Sequence, residues 1–592
     1  MYILLAPAAS AQLLPDGSLA WEALSLTEQG PGRRRQVGQQ KLGDFVAAVE
    51  RQNPGRTIRW AWADARQVMP LLLGQGVSPA SCHDLRLAQQ ILARAATRAQ
   101  SGLPYRQVLD LSTLRDPSEL PVRPQAEGQL ALFEGLPAAG AASGAVFSVD
   151  DLLAELQAQL TAVAASPFPE RLSLLLAAES QGALIAAEIR QWGMPWDRAV
   201  HERILEQRLG PRPVGAERPA QMEAVAARVR QLLAAPDLNP DSPQELLRAL
   251  QAAGVAVDST RKWDLVAWVG QVPQQSQERA RRQALVEPIL AYKRLARLFT
   301  ANGWNWLDTW TRNNRFYPAY EVASAATGRW GGHGGGAMQL PQEVRSAVRA
   351  EPGMLLTVAD AAQIEPRILA VMSGDRALAV AGRGRDLYLG IAHLGERTGS
   401  QVRSREQAKV ALLAVMYGAT TGEGGQLLPQ MRRLFPQALG LTEQAALVGE
   451  QGGQVSTFLG RVSPVPSAGW FEGQRRRDSA SAERAALSAA RAQGRFTRNF
   501  VVQGTAAEWA LVWMAQIRRA LRTERLAGRP LSSRLVYFLH DEVVIYGPAY
   551  EAAQCARIVR RAASSAAQLI FGASEVEFPV SVAAVEDYSQ AK

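Results

Sequence analysis

Cysteine and lysine are what this 592-residue chain has least of. Two cysteines, Cys82 and Cys555, exclude a disulfide framework and a cysteine-built zinc site, and they suit a reducing compartment, which points to the cytoplasm. Only Lys41, Lys262, Lys293, Lys409 and Lys592 stand among 65 basic residues, so arginine has taken nearly every cationic position. A Lys in a polar-rich segment of such a chain hints that its compact ammonium is needed there. No Lys or Arg precedes Arg33, so the apolar opening of residues 1–11 lacks the basic start of a secretory signal and reads as a buried strand. No apolar run reaches the ~18 residues of a membrane span, and no repeat of roughly 20–50 residues is apparent, which excludes a membrane protein and a solenoid. What is there, 47 % hydrophobic and 20 % charged residues, describes a soluble globular chain of several domains. The 65 Lys and Arg against 55 Asp and Glu leave +10, which suits a polyanionic partner without identifying one.

Composition divides the chain into blocks. Residues 1 to about 118 mix short β-like runs with a helical stretch ending near Ala99, an α/β pattern. Residues 121–144, rich in Pro, Gly and Ala, read as a flexible linker. Residues 150–205 look helical, with Asp150 or Asp151 as the cap, and helical periodicity also fills 221–299. There Lys293, Arg294 and Arg297 lie among Leu290, Leu295 and Leu298, giving one apolar and one positive face. After Phe316 the texture turns to short strands and turns, including a glycine-rich run at 331–336. Helices dominate from Ile364 to Ala492, and strands return after Leu535.

Three segments carry chemistry. Met354-Leu355-Leu356-Thr357-Val358-Ala359 is a buried-strand pattern that ends on Asp360 and leads into a helix. Leu535 to Leu539 runs into His540-Asp541-Glu542 and then Val543 to Tyr546, a hairpin with acids at its tip. If the two strands are neighbours, Asp360 and Asp541 could hold two Mg²⁺ ions ~3.5–4 Å apart, an arrangement that activates a 3′-hydroxyl and stabilises a leaving pyrophosphate. Arg405, Lys409, Leu413 and Tyr417 are spaced by four, so they share one helix face, basic at one end and aromatic at the other. Such a face suits a triphosphate on Arg405 and Lys409 and a base on Tyr417, with Gly418 ending the turn.

These segments together resemble the family A DNA polymerases of the bacterial DNA polymerase I type, over about residues 175–592. Residues 360–367 are similar to that family's motif A, 405–418 to its motif B and 540–542 to its motif C, in the family's order. Thr327-Gly328-Arg329, Arg345, residues 498–507 and Glu586-Asp587-Tyr588 add to the likeness. The resemblance implies a right-hand α+β polymerase behind an α/β, RNase H-like, exonuclease-like domain. The implied domains are 1–165 for the exonuclease-like part, a thumb at about 190–315, a palm at about 316–372 and 495–592, and fingers at about 373–494.

By the same resemblance Asp360 and Asp541 are metal ligands assisted by the Ala361 carbonyl, with Glu542 auxiliary. The metals are two Mg²⁺ ions, with Mn²⁺ as a substitute. Arg405 and Lys409 hold the incoming triphosphate, Lys409 also donating a proton to the pyrophosphate, while Leu413 and Tyr417 complete the nucleotide site. His540, Arg345 and Arg495 position phosphates, Asn499 and Gln503 contact the nascent pair, and Arg329, Lys293 and Arg297 grip the primer-template. Glu365 matches the position that crowds the 2′ carbon, which argues for deoxynucleotides. The implied partners are primer-template DNA and dNTPs, for a monomer of the bacterial cytoplasm and nucleoid.

Departures from the family pattern are as informative. Ala361-Ala362 stands where the family has Tyr-Ser, Pro366 where it has Leu, and Leu413 where it has Phe or Tyr. No Asp-x-Glu occurs before residue 165, so the first block is expected to be an exonuclease-like shell without proofreading, with Asp64 and Asp84 as isolated acids. Within the linker, Gln129, Leu130, Leu132 and Phe133 form Gln-Leu-Ala-Leu-Phe, similar to the peptide by which bacterial polymerases hold the sliding clamp. Two alternatives stay open: a bifunctional polymerase and 3′–5′ exonuclease, and a catalytically inactive primer-template binding protein.

Overall fold

The computed structural model describes residues 1–8, 14, 17–98, 102–114, 146–215, 217–332, 338, 340–419, 422–476 and 478–591. The linker at 121–144, its peptide at 129–133 and most of the glycine run lie outside the described residues. Two compact units are formed. The first comprises Met1–Trp192, Tyr320–Gly331 and Thr357–Ala584; the second comprises Gly193–Ala319, Gly332–Leu356 and Val585–Lys592.

The first unit opens with a five-stranded sheet in the order Gly30–Gly38, Ala20–Thr27, Tyr2–Pro7, Arg59–Trp62, Cys82–Asp84. The first three strands are antiparallel, and the last two run parallel to Tyr2–Pro7. The pleat sorts the apolar opening to both faces. Ile3, Leu5, Trp60 and Trp62 pack with Val68 and Leu72, whereas Leu4, Ala6 and Ala61 pack with Leu85, Leu152 and Leu156. Helices therefore cover both sides, as a sheet with parallel strands requires.

The helix expected over 150–205 is in fact three, Val149–Ala164, Pro169–Trp192 and Arg198–Leu209. Pro167 and Pro169 force the first break. Its cap is neither Asp150 nor Asp151 but Ser148. The Ser148 hydroxyl accepts from the Asp151 N–H at 3.2 Å, and Asp151 accepts from the Ser148 N–H at 2.9 Å, a reciprocal capping box. Pro169–Trp192 is also the described helix long and apolar enough to cross a membrane, contrary to the expectation that no segment is. It is a core helix: Leu175, Leu184, Ile185 and Ile189 are buried, and its buried Glu179 and Glu188 pair with Arg461 and Arg518.

The rest of the first unit holds a four-stranded sheet ordered Arg534–Leu539, Glu542–Pro548, Met354–Ala361, Val580–Val585. Helices Pro169–Trp192, Ala480–Thr523 and Ala552–Phe571 pack against it. One of them, Ala480–Thr523, runs 44 residues without interruption, through the expected fingers-to-palm boundary at 494–495.

The second unit is a helical bundle around Leu246, Leu250, Trp268, Val286, Ile289 and Tyr292, beside a small three-stranded sheet. Its longest helix, Gln277–Asn302, carries Lys293 and Arg297.

Candidate active site

Strand Met354–Ala361 places Asp360 one residue from its end, and the neighbouring hairpin places Asp541 in the two-residue turn between Leu539 and Glu542. The Ala361 N–H donates to the Asp541 carbonyl at 2.9 Å, which ties the two acid-bearing strand ends together across the sheet. His540, the other turn residue, has φ 59°, a left-handed conformation unusual for a residue with a Cβ. Partial burial, and then the Arg329 cation, lower its imidazole pKa from the ordinary range. Glu542 begins the second strand and is buried. Among the described residues no group of three or more His, Cys, Asp or Glu forms a metal cage. Two carboxylates on joined strand ends and a carbonyl are nevertheless a donor set whose chemistry suits Mg²⁺, which is commonly held by one or two carboxylates with substrate phosphates completing the shell.

Motif A continues into helix Ile364–Ser373, entered through Gln363 at φ 56°. Pro366 falls in the first turn, where a missing N–H breaks no helical bond, so this departure is locally neutral. Arg367, 1 % exposed, donates to the carbonyls of Ala362, Gly382, Arg385 and Glu577 at 2.9–3.1 Å and fixes the segment behind Asp360. Glu365 accepts the Tyr417 hydroxyl at 2.6 Å and pairs with Arg329. Burial, and then this bond to Glu365, push the Tyr417 phenol above its usual range.

Helix Arg405–Tyr417 starts at a Ser404–Gln407 capping box and ends at Gly418, φ 73°. Arg405, Lys409 and Tyr417 are exposed and Leu413 is half-buried, while Ala408, Ala411, Leu412 and Val415 face the core. Arg405 pairs with Asp386 at 3.0 Å and lies 5.6 Å over the Tyr388 ring. Lys409 makes no hydrogen bond or ion pair with the described residues. Asp386 also caps helix Leu387–Arg397 and accepts from Gln363 at 2.6 Å. Burial opposes its charge, but the Leu389 N–H and Arg405 hold its carboxyl below the ordinary range. Asp386, Tyr388 and Gln363 went unread as site residues; an Asp followed at N3 by a helix former was the one available signal, and it denotes only a cap.

Arg495, Asn499 and Gln503 share the long helix at i, i+4 and i+8. Gln503 accepts from the Thr327 hydroxyl at 3.1 Å. Gly328, between Thr327 and Arg329, has φ +83°, and a Cβ there would lie 2.7 Å from the Arg461 guanidinium, so only glycine fits. The remaining expected site residues belong to the second unit. Arg345 donates to the Leu340 carbonyl at 3.3 Å and stacks 4.8 Å over Tyr588. Lys293 is turned onto Thr260, donating to its carbonyl at 2.5 Å and its hydroxyl at 2.9 Å, while Arg297 is exposed.

The acids of the first block have structural duties. Asp64, 0 % exposed, caps helix Ala65–Gly74 and pairs with Arg66 at 2.6 Å and Arg86 at 2.8 Å. Asp84 caps helix Leu85–Ala96 and also accepts from the Ala65 N–H at 2.7 Å. Burial, and then the neighbouring Asp64, raise its carboxyl to about 6. The first strand contributes Leu4, Leu5, Ala6 and Pro7 at this level and no carboxylate.

A family model described as DNA polymerase family A matches residues 213–590. DNA polymerase I of Chloroflexus aurantiacus is 31 % identical over 275 residues, 43 % of this chain and 27 % of the relative. The thermostable DNA polymerase I of Thermus aquaticus is 28 % identical over 334 residues, 52 % of this chain and 36 % of that protein. DNA polymerase I of Geobacillus stearothermophilus is 25 % identical over 373 residues, covering 58 % and 40 %. The chain thus spans well under half the length of these curated relatives. The solved POL domain of Pol1 from M. smegmatis, in complex with DNA primer-template and dNTP, superimposes with a TM-score of 0.66 at 19 % identity, covering 100 % of this chain and 95 % of that one. The fold is therefore that of a family A polymerase domain joined to an exonuclease-like α/β domain.

Proposed function

The chain belongs to DNA polymerase family A, and from that premise we propose that it is a template-directed DNA polymerase that extends a primer 3′ end with deoxynucleotides. The observation that carries the reading is the Ala361 N–H to Asp541 carbonyl bond, which sets the two strand-end acids side by side, on the sheet that helix Arg405–Tyr417 accompanies within one unit. Two Mg²⁺ ions, or Mn²⁺ in their place, held by Asp360, Asp541 and the Ala361 carbonyl with Glu542 in support, would acidify the primer hydroxyl and neutralise the leaving pyrophosphate.

The protein's own groups do the rest. Arg405, itself exposed, exchanges its half-buried Asp386 partner for the triphosphate. Lys409, with no partner to give up, binds the same phosphates and protonates the departing pyrophosphate. Glu365, held by Arg329 and Tyr417, stands against the sugar and excludes a 2′-hydroxyl. Arg495, Asn499 and Gln503 contact the primer-template along one helix face, and Arg297 and Arg345 are further phosphate-binding candidates. Proofreading is lost, because the first strand has no carboxylate and Asp64 and Asp84 are committed to caps and arginines. The linker peptide 129–133 tethers the enzyme to the sliding clamp, and the setting is the bacterial cytoplasm.

The test is primer extension with Asp541→Asn and Lys409→Ala. Asp541→Asn is expected to abolish extension while primer-template binding persists, and Lys409→Ala to slow it by ~10²–10⁴-fold, the usual weight of a general acid. Undiminished extension by Asp541→Asn refutes the metal assignment.

A further inference from the structure

The strand that leads to Asp541 begins beside a cavity of about 460 Å³ within the first unit. Arg534 starts that strand, so at ~3.3 Å per residue the cavity lies roughly 20 Å from the acids and is separate from the polymerase site. Its walls come from the ends of helices Leu42–Gln52, Pro169–Trp192 and Ala480–Thr523. Two acids and four arginines line it, an excess of two positive charges, and both acids are already hydrogen-bonded. Glu50 accepts from the Trp60 indole at 3.1 Å and the Ala80 N–H at 2.9 Å. Glu188 is bound by Arg518 at 2.7 and 2.9 Å.

Arg51, Arg522 and Arg534 remain, none with a carboxylate partner among the described residues. Desolvation, and then the neighbouring Arg518 cation, push the Arg522 guanidinium below its ordinary value, and the Glu188 and Glu50 carboxylates offset this only in part. Arg534 is stacked 4.5 Å over Trp192, which holds its planar fork in place. Leu521, Leu531 and Val77 supply an apolar wall. Three guanidiniums without an ion-pair partner among the described residues and a net excess of two positive charges, around an apolar, aromatic-edged space, are what a phosphate carried on a planar apolar group requires, and the volume suits one small molecule.

We propose that this cavity is a second nucleotide site, which takes a nucleoside monophosphate by its phosphate on Arg51, Arg522 and Arg534, with the base and sugar against Trp192 and the leucines. The test is equilibrium dialysis of labelled dAMP against the full chain carrying Lys409→Ala, with EDTA and no DNA, so that the polymerase site is weakened and any binding there is insensitive to changes at Arg522 and Arg534. Saturable one-to-one binding is expected. Arg522→Ala or Arg534→Ala should weaken it at least about tenfold, the worth of one charge-assisted hydrogen bond. Deoxyadenosine and inorganic phosphate should each bind at least about tenfold more weakly than dAMP. If either variant fails to fold, Arg51→Ala, at an exposed helix end, gives the same reading. Absence of saturable binding, binding that these variants leave unchanged, or inorganic phosphate binding as tightly as dAMP would overturn the proposal.

Discussion

Glu365 receives both the Tyr417 hydroxyl and Arg329, so its carboxylate cannot swing away from its place without losing two partners, which suits the proposed sugar gate. Truncation to Glu365→Ala removes the obstruction and releases Tyr417. Ribonucleotide incorporation relative to deoxynucleotide incorporation should then rise by ~10–200-fold, the range for a steric change in a pocket. Competitive incorporation assays read the ratio, and an unchanged ratio removes the gate. A second acid, Glu508, is buried with Arg461, which already pairs with Glu179. One cation serves two carboxylates, and burial raises Glu508 to about 7. From the ordinary carboxylate range up to about pH 7 the folded protein therefore keeps a proton that the unfolded chain has released, and stability falls as pH rises through that window. Glu508→Gln, which can still accept from Thr457 and Leu459, should melt with the wild type at pH 5 and above it at pH 8. Asp360 and Asp541 were legible in the sequence because each follows a run of strand-forming apolar residues. The Asp386 partner of Arg405 was not, because its role depends on a contact 19 residues away that no local pattern encodes.

Among elements, periodicity revealed helix Arg405–Tyr417 and the two acid-bearing strands, because both signals are local. That the strands are neighbours could not be read, since their pairing joins segments about 180 residues apart. Ser148 was passed over as a cap for a related reason: three polar candidates, Ser148, Asp150 and Asp151, fall within four residues, and the choice among them follows from where the backbone leaves extended geometry. The cap of helix Ala65–Gly74 gives a sharper test. Asp64→Ala would leave Arg66 and Arg86 without their buried carboxylate and remove a cap, a loss of about 3–5 kcal/mol. Thermal unfolding should register that loss while no nuclease activity disappears. A metal-dependent 3′–5′ digestion present in the wild type and absent from Asp64→Ala would restore the bifunctional reading.

At the scale of the molecule, the exonuclease-like block is bound into the first unit by buried charge. Arg518, on the long helix, donates to Glu188, Gln181 and Ser78 and to the carbonyls of Pro79 and Ala80, joining a loop of the first block to helix Pro169–Trp192. A domain held this way can persist for its packing after its own chemistry has gone, which is consistent with the duties of Asp64 and Asp84. The fold class was legible because three motifs occur in order, whereas the division into two compact units, with residues 320–331 and 357–584 returning to the first, depends on packing alone. The most direct measurement is one gel with a labelled primer, matched or mismatched at its 3′ end, on a template with Mg²⁺, with and without the four deoxynucleotides. The matched primer should be extended only when both Mg²⁺ and nucleotides are present, and neither primer should be shortened. Failure to extend the matched primer would contradict the polymerase assignment, and shortening without nucleotides would contradict the loss of proofreading.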